Sequence, residues 1–163
     1  MREPNNPGGR LLITLRDPVT RRVVLERRVK NLVTLAGRTL LAELLIGAVA
    51  GIAEIELVVG GPPDDDTSTP PPALTDTTLE RQLKAVPVTA EPIPPQPGDQ
   101  RMVTRISGTL EAVIGDDTLI MTEAGIKFTK IDDNEEVLYN RVTFDRITKE
   151  PNLEMTLTWE VIF

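Results

Sequence analysis

The chain has 163 residues, of which 40% are hydrophobic and 26% are charged, values that fit a single globular domain. It contains no histidine and no cysteine, which excludes a Ser-His-Asp triad, a thiol nucleophile, a disulfide and the usual zinc ligands. It has only one Trp, one Tyr and three Phe, too few to line the clefts in which carboxylate pairs hydrolyse glycosides. We therefore expect no enzymatic activity, no catalytic residue, no cofactor and no bound metal.

The net charge of −7 is distributed unevenly along the chain. Residues 1–30 hold eight basic and three acidic side chains, a net of +5, so the remainder carries −12. A basic segment on an acidic body favours contact between copies or docking on an acidic partner protein; the alternative is a hairpin whose face is simply solvated. We expect no nucleic-acid partner, because the acidic body repels phosphate and few aromatic side chains can stack on bases. No apolar run approaches the roughly 20 residues that span a bilayer, so no membrane partner is expected.

Residues 1–30 are predicted to form an extended arm followed by a β-hairpin. Residues 1–9 have almost nothing to bury, whereas apolar residues alternate from Leu11 to Leu15 and again from Val23 to Val29 around an Asp17-Pro18 turn. A two-stranded ribbon is marginally stable alone, so we expect it to pack on a neighbouring subunit and to be the main assembly element. The candidate interface residues are Arg16, Arg21, Arg22, Arg27 and Arg28.

A helix is predicted at about residues 34–48, where leucines recur at helical spacing. Thr34 or Asn31 could cap its start, and Gly47 or Gly51 its end. A dimerising coiled coil is one interpretation, but fewer than three heptads are present, which favours a helix lying on the domain.

From residue 53 onward the sequence alternates with the period of β-strands. We predict an all-β fold over 31–163, an antiparallel and jelly-roll-like sandwich of seven to nine strands. Pro87 and Pro92 place the strand around residues 86–90 at an edge, and TTLERQLK (77–84) is predicted to be a helical turn capped by Asp76. The last strand shows the clearest alternation. Its predicted core residues are Leu153, Met155, Leu157, Trp159, Val161 and Phe163.

Two Pro-rich segments, 60–76 and 91–99, are predicted to be loops. The first is long for a compact domain and is therefore disordered or used for contacts. Its Asp64-Asp65-Asp66 run is the one candidate metal cluster, but it lacks the glycine and distant glutamate of an EF-hand, which favours a solvated loop. Glu123 lies inside an apolar strand, and alternation predicts that it points away from the core and is exposed.

Read together, these segments resemble a diffuse family of small phage tail and fibre-associated proteins. The resemblance covers roughly residues 31–163 and depends on the order of its pieces. Those pieces are Asn31-Leu32-Val33 with Leu40 to Leu45, Val58-Val59-Gly60, Asp76-Thr77 with Leu79, Glu123-Ala124-Gly125, Leu138-Tyr139-Asn140-Arg141-Val142 with Phe144, Ile147 and Lys149, and Leu157-Thr158-Trp159 with Phe163. The resemblance implies a structural virion component without catalytic positions.

The sequence thus predicts a subunit of a phage or phage-derived tail-like particle, at the tail, baseplate or fibre attachment. Its expected partners are copies of itself, as a homo-oligomer, and other particle proteins. A capsid decoration protein is the alternative within this class. A carbohydrate-binding module is an alternative of another class, which would need an exposed aromatic platform; with Trp159 predicted in the core, only Tyr139 is obviously left for that role.

Overall fold

A computed structural model describes residues 8–64, 68–95, 97–98 and 101–162 of the chain. The described residues form ten strands and one helix, α1 (Leu35–Leu45). The strands are β1 (Gly8–Arg16), β2 (Val23–Lys30), β3 (Leu32–Val33), β4 (Ile52–Gly60), β5 (Gln82–Pro87), β6 (Thr89–Ile93), β7 (Val103–Leu110), β8 (Leu119–Lys130), β9 (Glu136–Lys149) and β10 (Glu154–Ile162).

The strands make two antiparallel sheets of five, which confirms the all-β sandwich. Sheet A has the order β2-β1-β10-β7-β6 and sheet B the order β3-β9-β8-β4-β5. Four hairpins stay within one sheet: β1–β2, β4–β5, β6–β7 and β8–β9. The chain therefore crosses between sheets only four times, and its order is built from hairpins rather than from the two Greek keys of a jelly roll.

The main core lies between the sheets and is almost entirely aliphatic, as the scarcity of aromatic residues predicts. β10 supplies it by strict alternation, because every second side chain of a strand points to the same face. Met155, Leu157, Trp159 and Val161 are buried in this core. Leu153 is partly buried against it, and Phe163 lies outside the described residues.

The N-terminal hairpin is part of the sandwich. β1 lies between β2 and β10, pairing with β10 from Gly8↔Ile162 to Arg16↔Glu154. Its inward side chains Leu11 and Ile13 are completely buried in the main core. The predicted boundary at residue 30 is therefore wrong as a division between an assembly element and a separate domain. Of the predicted arm, Gly8 and Gly9 begin β1, and residues 1–7 lie outside the described residues.

Helix α1 packs on β9 and is shorter than predicted. Thr34 caps it: its hydroxyl accepts a hydrogen bond from the Gly37 N–H (2.9 Å) and donates one to the Leu138 carbonyl (2.6 Å). A side chain at Gly37 would lie 2.8 Å from the Tyr139 Cα, so glycine permits this close approach. The helix ends at Leu45, two residues before Gly47, whose φ of 72° is the left-handed conformation that terminates helices.

The strand predicted around residues 86–90 is two edge strands. β5 ends at Pro87 on the edge of sheet B, and β6 begins at Thr89 on the edge of sheet A. The prolines thus lie at sheet edges, where their missing N–H groups cost least. The helical turn predicted at 77–84 is wrong, since Gln82 already begins β5 and the residues before it are irregular.

Tyr139, the only tyrosine of the chain, should report on folding at high pH. Its hydroxyl is buried without a hydrogen-bond partner, and burial raises the pKa of Tyr139 to about 12, with a small opposing effect of the Arg38 charge. The folded state holds this proton more tightly than the unfolded state, whose tyrosine pKa is about 10. The stabilising contribution is therefore complete below pH ~10 and is lost as the pH rises towards 12.

Absorbance titration of tyrosinate should show a midpoint near 12 when folded and near 10 in denaturant. A folded midpoint near 10 would contradict the burial, and Tyr139→Phe should remove this part of the alkaline loss of stability.

Candidate assembly surface

The five arginines predicted as an interface do not share one face of the molecule. Arg27 lies on the inward side of β2, donates to the Asp145 carbonyl (2.8 Å) and thereby bridges sheet A to β9 of sheet B. Arg28 points outward and pairs with Glu26 at 3.1 Å. Arg16, at the end of β1, is partly buried. Neighbouring residues on a strand point to opposite faces, so these five arginines do not form one basic patch. Their part in an interface stays a prediction.

Arg21 and Arg22 lie in the β1–β2 turn, which is held by its first residue. The Asp17 carboxylate accepts hydrogen bonds from the backbone N–H groups of Thr20 (3.0 Å) and Val19 (2.8 Å), which lower the pKa of Asp17. Asp17 also donates its own N–H to the Arg22 carbonyl at 3.0 Å. The turn thus presents Val19, Arg21 and Arg22 to solvent as a defined structure.

Strand β2 leaves one edge of sheet A open. It is an eight-residue strand at the end of the sheet order, so its outer backbone groups have no strand partner among the described residues. Such an edge is a template for another strand. Val23 and Val24 are 45% and 55% exposed beside it. Arginines along an edge restrict pairing with a second basic edge, so this edge favours an uncharged or acidic partner strand.

Among the described residues, the outer face of sheet A is mostly polar and carries no aromatic side chain. One cross-strand row runs Lys30, Arg10, Glu160, Arg105, Glu91, with Arg10 Nε 2.5 Å from Glu160. The neighbouring row is Leu12, Thr158, Ser107, Thr89. A shallow groove of about 430 Å³ lies between these rows. Among the side chains that line the groove, Arg10, Arg28 and Arg105 outnumber the one carboxylate, Glu160. The lining therefore carries a net positive charge and suits contact with polar or acidic groups.

A buried cluster of charge lies on the other side of the molecule, on the outer face of sheet B. Arg141 and Glu123 are 1% and 0% exposed. The guanidinium binds Glu123 at 2.8 Å and Asp76 at 2.7 Å, and Glu80 lies at 3.7 Å. Burial alone lowers the pKa of Arg141, but its hydrogen bonds to Asp76 and the charge of Glu123 outweigh this and raise it. The cluster is fully occupied by its own ion pairs, which indicates a structural role.

Segment 61–81 is here called the strap, and its described residues 68–81 cover this cluster. Arg81 donates its N–H to the Glu123 carboxylate (3.1 Å), Arg141 donates to the Pro70 carbonyl (3.3 Å), and Thr69 bonds the Thr122 hydroxyl. Leu79 packs on Val58 and Leu138. The predicted exposure of Glu123 is therefore wrong: it does point away from the main core, but the strap covers it. The predicted loop is used for contacts within the chain, and its residues 65–67 lie outside the described residues.

Three other questions raised by the sequence concern a carbohydrate-binding platform, a metal site and a membrane-spanning helix. Trp159 and Tyr139 are 0% and 2% exposed, so neither can be the aromatic platform of a carbohydrate-binding module. Among the described residues no group of carboxylates is arranged to hold a metal ion; Asp65 and Asp66 lie outside them. Within the same residues, no helix is both long and apolar enough to cross a membrane.

Comparison with protein-family models, with curated proteins and with solved structures finds no match to this chain.

Proposed function

We propose that this chain is a non-enzymatic structural subunit that assembles through the free edge of β2. The observation that carries the proposal is the open eight-residue edge itself, flanked by exposed Val23 and Val24 and by arginines that select against a second basic edge. A strand added there would satisfy the free backbone groups and cover the valines. The exposed ion pairs would contribute only about 0–1 kcal/mol each and act mainly on orientation.

Together with the resemblance noted in the sequence, this edge supports a tail, baseplate or fibre-attachment subunit of a phage or phage-derived particle. The partners are then other particle proteins and further copies of the chain. Antibody labelling of intact particles in the electron microscope tests the location directly. Label on the head would favour the capsid decoration protein instead, and absence of label from any particle would contradict both.

Val24→Asp should block this assembly without unfolding the protein. Position 24 is exposed, so the change should alter the free energy of unfolding by no more than about 0.5 kcal/mol, whereas a carboxylate on the edge disrupts the packing of an added strand. The measurement is the amount of tagged protein that co-purifies with particles, beside a thermal melt of each variant.

Ile114→Asp is the matched control, because Ile114 is 93% exposed in the loop that follows β7, which two strands separate from β2 in sheet A. It should enter particles like the wild type. Normal incorporation of a folded Val24→Asp variant would show that the β2 edge is not the assembly contact.

A further inference from the structure

Helix α1 carries an uncharged stripe on its solvent side. The stripe consists of Leu35, Thr39 and Ala42 and of the C-cap residue Ile46, all exposed, with Leu35 and Ile46 at 59% and 78%. Their spacing of four, three and four residues is that of the seam positions of a coiled coil. Thr39 and Ala42 at its middle are small enough to let a second helix approach. The stripe is therefore shaped for another helix.

The two flanks of this stripe differ. Arg38 and Leu45, seven residues apart, lie on one flank, and Ala36 and Glu43 lie on the other. A groove of about 500 Å³ opens beside the second flank and is bounded by Ala36, Leu40, Glu43, Leu74, Glu135 and Val137 among others. Glu43 and Glu135 share the single cation Lys130, at 3.3 and 2.6 Å, so one negative charge remains over an apolar floor.

Arg38 supplies the matching cation. It has no ion pair among the described residues, and its Nε is buried without a hydrogen-bond partner. Leu45, two turns further along the same flank, is 87% exposed. One flank of α1 thus carries Arg38, which has no ion pair among the described residues, and the exposed Leu45. The other flank borders a groove with one more carboxylate than it has cations.

We propose that two copies of the chain pair through α1, with the helices parallel about a two-fold axis. In this arrangement the uncharged stripes of the two helices pack against each other. The flank of each copy that carries Arg38 and Leu45 then contacts the groove of the other copy. Arg38 of one copy then meets Glu43 of the second, five residues further along, which is the flanking ion pair of parallel coiled coils. An antiparallel pair would instead place the two Arg38 side chains on one side and the two Glu43 side chains on the other.

The seam is short, so the association is modest. Eleven residues span about 16 Å of helix, so we expect the buried area to lie at the low end of the range for specific interfaces, which begins at about 1,200 Å². We expect a dissociation constant in the micromolar range. This surface is separate from the β2 edge, so the pairing stands independently of the proposed function.

Sedimentation equilibrium of the full chain tests the pairing. The wild type should dimerise at concentrations up to about 100 µM. Ala42→Arg, in the middle of the stripe, and Arg38→Glu, on its flank, should each weaken the dimer by at least about tenfold. Lys84→Glu is the matched control and should leave the dimer unchanged, since Lys84 is exposed on β5, at the other end of sheet B from the β9 strand that carries α1. A monomeric wild type, or an Arg38→Glu variant that dimerises as well as Lys84→Glu, overturns the proposal.

The orientation has its own test, which the absence of native cysteine makes clean. In the parallel pair Ala42 faces Ala42 of the second copy, so Ala42→Cys should form an intermolecular disulfide readily under mild oxidation. Thr20→Cys, on the exposed β1–β2 turn, should not. Equal rates of cross-linking for the two variants would overturn the parallel arrangement even if a dimer forms.

Discussion

Replacing Arg141 with leucine is expected to lower the free energy of unfolding by about 3–5 kcal/mol. The cost arises because Glu123 would remain completely buried with its charge unpaired, keeping only the hydrogen bond from the Arg81 N–H. A loss of this size is a large part of the 5–15 kcal/mol that stabilises an ordinary domain. Chemical denaturation followed by circular dichroism measures it.

Two further variants separate the buried pair from the loss of an arginine as such. Arg141→Leu combined with Glu123→Leu should recover much of the lost stability, because replacing both members of a buried pair removes the uncompensated charge. Arg105→Leu, which breaks exposed pairs with Glu91 and Glu160, should cost less than about 1 kcal/mol. If Arg141→Leu lowered the free energy of unfolding no more than Arg105→Leu does, the buried charge cluster would not stabilise the fold as argued.

Trp159→Ala should lower the free energy of unfolding by about 3–5 kcal/mol. Trp159 is completely buried between Leu11 on β1 and Ile106 on β7, so its removal leaves a cavity at the centre of sheet A. Trp159→Phe should cost clearly less, since the indole N–H has no hydrogen-bond partner to lose. Denaturation followed by circular dichroism is suitable, because the only tryptophan is absent from both variants.

Thr158→Ala provides the comparison for this series. Its side chain lies one residue away on the outer face of the same strand, and the change should stay within about 0.5 kcal/mol. A Trp159→Ala variant with an unchanged denaturation midpoint would contradict the described core and would restore an aromatic side chain to the surface.

The strands and their inward residues could be predicted from the sequence, because a period of two in β10 or β1 directly records which face is buried. Leucine spacing predicts the helix, and cap chemistry leaves Thr34 and Asn31 as candidates for its N-cap, of which the structure has Thr34. What alternation cannot give is the partner of each strand. The N-terminal hairpin looked separable because the strand that completes it, β10, lies at the far end of the chain.

The charged residues were harder to place. Alternation correctly predicts that Glu123 points away from the core. It cannot predict that Glu123 is buried, because the burial comes from the strap, which is distant from Glu123 in the sequence. A signal was present: Glu123 and Arg141 are opposite charges inside two apolar strands that follow one another in the chain. The arginines of β2 were grouped by sequence proximity, whereas Arg27 and Arg28 lie on opposite faces.

The pairing of β1 with β10 has a consequence for the order in which the molecule folds. Sheet A cannot close until the last strand has been made, so β1 must wait through the synthesis of nearly the whole chain. At roughly 5–20 residues per second this delay is on the order of ten seconds. During it β1 and β2 form at best a marginal ribbon whose apolar side is uncovered. We expect the arginines of β2 to oppose aggregation of the nascent N-terminal half during this delay, because charges beside an uncovered apolar strand limit its pairing with other chains.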